Sequence, residues 1–426
     1  MLIRAEFANF RSILEPVELS LVAVDTERPT ARDMPNLGAS LLHVAAIYGP
    51  NASGKSNIIA GLTWLRDAVG TSLQTWSDGI PLEPFAFANG PQQSSTFTLE
   101  LAVGGVRFEY VLELDRQAVG YEALFHYPEK KRKRILEREG NELKLQRGLG
   151  HLSGMRKLLS ERSLALSGAW LFGDPLVDAF TRELSNIQSL GLSHHGRRPP
   201  ANDRHSTADL FNEPEPEQAS LFTLDDLDPS RAEDRSQALA MLRLADLGIA
   251  DVMVVDDPEA IPKGNLTGRR RRERLQLMHN TSQGPVALDF SAESEGTRTW
   301  FRLIGPVLFA LRQGSVLLFD ELDASLHPTL SGQLISLFQD PATNPRDAQL
   351  IFTTHDTSLL NHLNRDEVWL TEKSDSGATR LGALAEFAGE RVRASVNLEK
   401  AYLHGRFGAL PDTDRTELLR VLGLIG

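Results

Sequence analysis

Cysteine is absent from the 426 residues, so disulfides and thiolate metal centres are excluded, as suits a reducing compartment. Aromatic side chains make up only 7%, and none is interleaved with the cationic runs as a base-stacking surface requires. Basic charge is not in excess either. Lys and Arg number 45 against 57 Asp and Glu, a net charge of −12, which excludes a surface that coats nucleic acid as a whole but leaves room for a local basic groove. No apolar run approaches the roughly 18 residues of a membrane span. The N-terminus, Met1-Leu2-Ile3-Arg4-Ala5-Glu6-Phe7, alternates apolar and polar residues instead of carrying a signal core. A cytoplasmic protein with no membrane partner is therefore expected. Internal repeats, low-complexity tracts and a heptad pattern sufficient for a long coiled coil are also missing.

What is present is a globular composition, 41% hydrophobic, in a chain long enough for two or three domains or one large domain with insertions. Its organising stretch is Gly49-Pro50-Asn51-Ala52-Ser53-Gly54-Lys55-Ser56. A Gly, four residues and then Gly-Lys-Ser form the P-loop spacing. In that loop backbone amides cradle phosphate oxygens, the lysine reaches the outer phosphates and the Ser56 hydroxyl meets Mg²⁺. Residues 41–47 read as one buried strand entering the loop. Ile58, Ile59, Leu62 and Leu65 fall at helical spacing after it, so a helix N-terminus points at the phosphates, with Asn57 in its first turn.

Around this stretch, Ile3, Ala5 and Phe7, then Val17, Leu19 and Leu21, alternate as two strands. Arg11, at the turn between them, reads either as a phosphate ligand or as a solvated turn arginine. Residues 95–147 read as an antiparallel sheet whose clearest hairpin turns at Gly104-Gly105. Residues 151–192 are helical in pattern, 193–218 a proline-rich linker or disordered loop, 238–247 a helix and 252–255 a strand. Two cationic runs stand out: Arg269, Arg270, Arg271 and Arg272, and Lys130, Lys131, Arg132, Lys133 and Arg134. Each is either a phosphate-backbone patch or a solvated loop guarding a strand edge.

The second half of the site follows. Val316-Leu317-Leu318-Phe319-Asp320-Glu321 is an apolar strand ending in two acids, which a buried parallel strand delivers to the sheet's C-terminal edge. Asp320 is the candidate for the Mg²⁺ shell and Glu321 the candidate general base. Ser294-Glu295-Gly296 opens an apolar-faced helix, a second anion-binding tip where one subunit needs only one. That tip is expected to serve a nucleotide held by another subunit. Asp323 lies just beyond the acidic strand, and residues 350–355 form a further strand ending in His355, placed to contact the terminal phosphate.

Together these residues resemble the ABC-type ATPase head shared by transporter engines, SMC proteins and DNA-repair ATPases. Gly49 to Ser56 is similar to Walker A, with Ala52 where that family usually has Gly. Ser294-Glu295-Gly296 is similar to the signature motif, Val316 to Glu321 to Walker B, the turn around Asp323 to the D-loop and His355 to the switch histidine; Gln92 or Gln93 stands in the region of the Q-loop. Leu322 replaces the proline usual in transporters. The runs from Asp320 to Pro328 and from Thr353 to Asp356 resemble stand-alone bacterial AAA ATPases, kin to the overcoming-lysogenization-defect, abortive-infection and phage-defence groups.

The resemblance implies an α/β fold: an ABC-type P-loop ATPase head with a mixed parallel core, an antiparallel β-subdomain and a helical insertion. Its expected parts are an N-terminal lobe (1–150), the insertion (151–257) and a C-terminal lobe (258–426). ATP and Mg²⁺ are the expected cofactors, with Lys55, Glu321 and His355 in catalysis, and a homodimer or higher oligomer forms through the ATP sites. The expected role is anti-phage defence through a separately encoded effector, a toxin or nuclease. The stretch after residue 355 holds no clustered carboxylates of the kind a two-metal nuclease needs. Two other readings stay open: a DNA-repair or chromosome-associated ATPase using the basic runs, and a scaffold or antitoxin that binds ATP without turnover.

Overall fold

Apolar periodicity sorts the strands of this chain into those buried on both faces and those buried on one. The computed structural model describes residues 1–26, 28, 30–192, 206–211, 229–245, 248–256, 273–324, 326–387 and 398–404. In chain order the elements are β1 (Leu2–Ala8), β2 (Val17–Ser20), β3 (Ala31–Met34), β4 (Ala39–Leu42), β5 (Val44–Tyr48), α1 (Lys55–Thr75), β6 (Ser95–Val103), β7 (Val106–Leu114), β8 (Val119–His126), β9 (Lys133–Glu139) and β10 (Glu142–Leu145). There follow α2 (Ala165–Trp170), α3 (Pro175–Ser185), β11 (Gln188–Leu190), α4 (Pro229–Ala245), β12 (Ile249–Asp256), β13 (Glu273–Thr281), β14 (Gly284–Asp289) and α5 (Glu295–Gln313). The last are β15 (Val316–Phe319), α6 (Pro328–Gln339), β16 (Gln349–Thr353), β17 (Val368–Lys373), β18 (Thr379–Ala383) and α7 (Leu398–Leu403).

The core sheet runs β11-β15-β16-β5-β17-β18, parallel throughout except for β18. Every residue of β5, β15 and β16 is buried, as helices on both faces require. Ala45, Ile47, Leu318 and Ile351 join the core on one face, shared with α1 and the second sheet; Val44, Ala46, Leu317 and Phe352 join the core on the other, under α5 and α6. The second sheet is antiparallel, ordered β10-β9-β8-β7-β6-β1-β2. Its central hairpin turns at Gly104 (φ 55°) and Gly105 (φ 76°), the two positive angles a primed turn demands. A buried amide stitches the sheets together: Gln349 accepts from the Leu2 amide and donates to the carbonyls of Leu2 (3.0 Å) and Leu42 (2.9 Å).

Three features depart from the sequence reading. The strand expected over 41–47 is two strands in two sheets. The chain changes sheets at His43, whose ring meets Asp347 at 3.3 Å and whose carbonyl accepts the Leu350 amide at 2.8 Å. Apolar content runs through both halves, so periodicity carries no trace of the break. Within the stretch read as helical, residues 188–190 instead form β11, which pairs in parallel with β15. Residues 273–289, unassigned from sequence, form β13 and β14, which with β12 make a three-stranded sheet. The expected linker over 193–218 lies outside the described residues except for 206–211, where residues 207–210 form a short 3-10 turn with Thr207 and Phe211 buried. Arg269, Arg270, Arg271 and Arg272 also lie outside the described residues.

Candidate nucleotide site

The P-loop leaves β5 and enters α1 through backbone angles that most residues avoid: Gly49 (φ 152°), Ala52 (62°) and Gly54 (106°). Two of these positions have no space for a side chain. A Cβ on Gly49 falls 2.3 Å from Thr371 Oγ1, and one on Gly54 falls 2.0 Å from Thr379 Oγ1. Both threonines belong to the β17–β18 hairpin, which presses on the loop from the sheet's far edge. The hydroxyls form two directed chains. Asn57 Nδ2 donates to Ser12 Oγ (2.6 Å), Ser12 to Thr379 Oγ1 (2.7 Å) and Thr379 to the Ser53 carbonyl (2.8 Å). Ser53 Oγ meets Thr371 Oγ1 (2.6 Å), which donates to the Tyr48 carbonyl (3.1 Å). The loop is therefore held open by backbone and hydroxyl contacts before any ligand interaction is counted.

Lys55 donates to the carbonyls of Gly49 (3.0 Å) and Pro50 (3.1 Å). Burial pushes its ammonium below the ordinary lysine range, while Asp320, Asp323 and Glu321 pull the other way. The parallel strand β15 ends at Phe319 and delivers the two acids beside it, as its sequence pattern requires. Asp320 is buried, and Glu321 takes a left-handed φ of 56°. One hydroxyl fixes both: Thr353 donates to Asp320 Oδ1 (2.6 Å) and accepts from the Glu321 amide (2.7 Å). Behind them, the Asp320 amide donates to the Leu190 carbonyl (2.9 Å), and Gly191 (φ 81°) packs so closely that a Cβ there falls 2.1 Å from the Asp320 carbonyl oxygen. Asp323 accepts the His355 amide at 3.1 Å. Partial burial and then the Lys55 charge lower the His355 pKa, against Asp323 and Glu321.

A cavity of about 330 Å³ opens beside these groups, lined by Asn51, Ala52, the stretch from Gly54 to Asn57, Ser12, Glu321, His355 and Lys373. Eight predicted residues converge there: Asn51, Ala52, Gly54, Lys55, Ser56, Asn57, Glu321 and His355, while Asp320 and Asp323 stand behind the lining. Arg11 does not line it. Its guanidinium pairs with Glu83 at 3.2 Å and sits over the Phe10 ring, which is the solvated-turn reading, while its neighbour Ser12 faces the cavity. Gln92 and Gln93 are exposed and also lie outside the lining. Thr371, Thr379 and Lys373 went unnoticed in the sequence, because isolated threonines and a strand-end lysine form no pattern, and Thr353 was read only as part of the strand that ends in His355.

Ser294 caps α5, its hydroxyl accepting the Thr297 amide at 3.1 Å. Glu293, just before it, is pinned to β13 by His279 Nε2 at 2.7 Å. Ser294 is exposed, and neither it nor Gly296 lines the cavity of its own chain.

A phosphate cradle after β5, two acids after β15 and a histidine after β16, the strand between those two, make a nucleotide site of P-loop type. Residues 44–361 match the family profile described as "AAA domain, putative AbiEii toxin, Type IV TA system". The chain belongs to this AAA-domain family. The match spans both halves of the site, from β5 through His355. Among solved structures, this AAA-domain protein is similar to the SMC head domain from Thermotoga maritima (14% identity, TM-score 0.40, covering 90% of this chain and 98% of that one). It is also similar to an SMC head bound to the C-terminal winged-helix domain of ScpA (12%, 0.43, 94% and 99%). A third is the SMC head with an extended coiled coil bound to the C-terminal domain of ScpA from Pyrococcus furiosus (13%, 0.41, 90% and 97%). No curated protein matches the chain. No helix among the described residues is long and apolar enough to cross a membrane.

Proposed function

We propose that this AAA-domain protein is an ATP-hydrolysing switch in which two heads close face to face on ATP. The observation that carries the reading is a division of labour. Lys55, Glu321 and His355 face one cavity, while Ser294, capping an anion-binding helix tip, stands exposed outside it. A tip of this kind is useful to a nucleotide only if it reaches one held by a second copy.

Lys55 and the P-loop amides hold the β- and γ-phosphates of the substrate, and Asn57 and Ser12 stand at the helix entrance beside them. Ser56 and Asp320 would hold Mg²⁺ here, offering hydroxyl and carboxylate oxygens, the hard donors that suit it. When bound, that ion neutralises charge on the phosphate oxygens. Glu321 takes the proton of the attacking water, and Thr353 keeps its backbone in the left-handed turn that aims it. His355 contacts the terminal phosphate, and loss of that phosphate frees the dimer.

The toxin and toxin–antitoxin wording attached to the family supports a role in phage defence with a separately encoded toxin or nuclease as effector. The DNA-repair reading gains less support. In the described cationic run Arg132 is engaged by Glu109 (3.1 Å) and lies over the Phe125 ring, and Arg134 pairs with Glu137 (2.8 Å). Two of the five cations of that patch are already paired. Turnover of wild type against Lys55→Ala tests the enzyme reading. Phosphate release that is abolished by the substitution supports it, and equal rates in the two proteins contradict it.

A further inference from the structure

The helix that carries Ser294 is not a continuous hydrogen-bond ladder. Pro306 stands inside α5, so the Arg302 carbonyl four residues earlier has no amide to receive. One residue before the proline, the Gly305 amide donates to the Thr207 hydroxyl at 2.8 Å, and that hydroxyl donates to the Phe301 carbonyl at 2.5 Å. Residues 301 and 305 are the pair that an unbroken helix bonds directly. Here a hydroxyl from a segment almost 100 positions away bonds to both groups of that pair. Thr207 is 2% exposed, and both hydroxyl functions are used.

The surroundings fix this joint from several sides. Phe211, in the same short segment, stacks on Phe301 (centroids 6.1 Å apart, 22° between planes), and Phe290 packs against Phe301 at 5.0 Å. Trp300 Nε1 donates to the Met241 carbonyl of α4 at 2.7 Å. A side chain bonded into the ladder and an internal proline are two of the recognised causes of a helix bend, and both occur at this turn. From Phe301 to the start of α5 at Glu295 is six residues, about 9 Å of helix. A change of about 20° at the joint moves the Ser294 tip by roughly 3 Å, against a tolerance near 1 Å for groups that bind a transition state.

We infer that Thr207 is a positioning residue, setting the bend of α5 and so the aim of the Ser294–Gly296 turn at the nucleotide of the second copy. The inference rests on the two-headed reading above. A hydroxyl that merely satisfied stray polar groups beside a proline would affect stability alone; one that sets an aim affects what the tip does.

Three variants separate these. Thr207→Val removes the hydroxyl at constant shape, Thr207→Ser keeps it, and Pro306→Ala returns an amide to the Arg302 carbonyl. Each is measured for affinity toward a fluorescent ATP analogue, for kcat, for the protein concentration at which ATP-driven dimers form, and for Tm. Thr207→Val is expected to bind the analogue like wild type but to lose at least tenfold in kcat and to need at least tenfold more protein to dimerise, with Thr207→Ser restoring both. Pro306→Ala is expected to keep or raise Tm while showing the same two losses, so it decides the matter if Thr207→Val does not fold. Wild-type kcat and dimerisation in folded Thr207→Val and in Pro306→Ala overturn the inference. Failure of the two-headed reading is seen separately, as a wild type whose mass does not respond to ATP.

Discussion

At the scale of single residues, the site depends on a few groups held in costly conformations. Glu321 adopts φ 56° and is kept there by Thr353, which simultaneously holds Asp320. Glu321→Gln is expected to lower turnover by about 10² or more while leaving ATP binding intact, because only the proton acceptor is lost. Thr353→Val, measured in the same phosphate-release assay, should cost roughly tenfold, since one buried hydrogen bond to each acid's support disappears. Ala52 sits at φ 62°, a left-handed angle that favours glycine, with its methyl exposed. Ala52→Gly is therefore expected to leave Tm unchanged or raise it, by an amount set by about 1 kcal/mol of relieved left-handed strain. His355 titrates below its ordinary value of 6.5, so the imidazole is neutral at pH 7 and takes up its proton only as the pH drops beneath that figure. The acid limb of kcat/KM attributable to it should fall below pH 6.5 and vanish in His355→Ala; a limb centred above 6.5 contradicts the assignment.

At the scale of elements, the β17–β18 hairpin emerges as part of the phosphate cradle. Thr371 and Thr379 occupy the space that side chains on Gly49 and Gly54 would need. Gly54→Ala combines a clash with a forbidden φ of 106°, and isothermal titration should show ATP binding lost. Thr379→Val, which cuts the Asn57–Ser12–Thr379–Ser53 chain, is expected to weaken ATP affinity by roughly tenfold without unfolding the sheet. This clamp was invisible in the sequence, because its members are single polar residues lying more than 300 positions from the loop they support. The P-loop and acidic-strand elements were legible for the opposite reason. Gly49 to Ser56 is a contiguous pattern whose spacing is dictated by phosphate geometry, and the fully buried run from Val316 to Phe319 is followed at once by two acids. Residues 188–190 were misread because a three-residue strand has no periodicity of its own; its identity comes from pairing with β15.

At the scale of the whole molecule, the antiparallel sheet and the parallel core lie on either side of α1, and Gln349 ties them at the start of β1. The antiparallel half was legible because one buried face enforces alternation, as in Phe97, Leu99 and Leu101. The join between sheets at His43 was not, since Leu41 and Leu42 before it and Val44 to Ile47 after it are all apolar. Thermal stability offers a check on the join: Gln349→Leu leaves the amide and carbonyl of Leu2 and the Leu42 carbonyl without partners in a fully buried setting, and should lower Tm by several degrees.

The largest-scale claim is that two such heads share each nucleotide. Light scattering coupled to size-exclusion chromatography on Glu321→Gln, with Mg²⁺ and with or without ATP, reads it directly. A mass that doubles only with ATP, and fails to double when Ser294→Arg is added, is the predicted result. A mass that ignores ATP, or a doubling that Ser294→Arg leaves untouched, contradicts it.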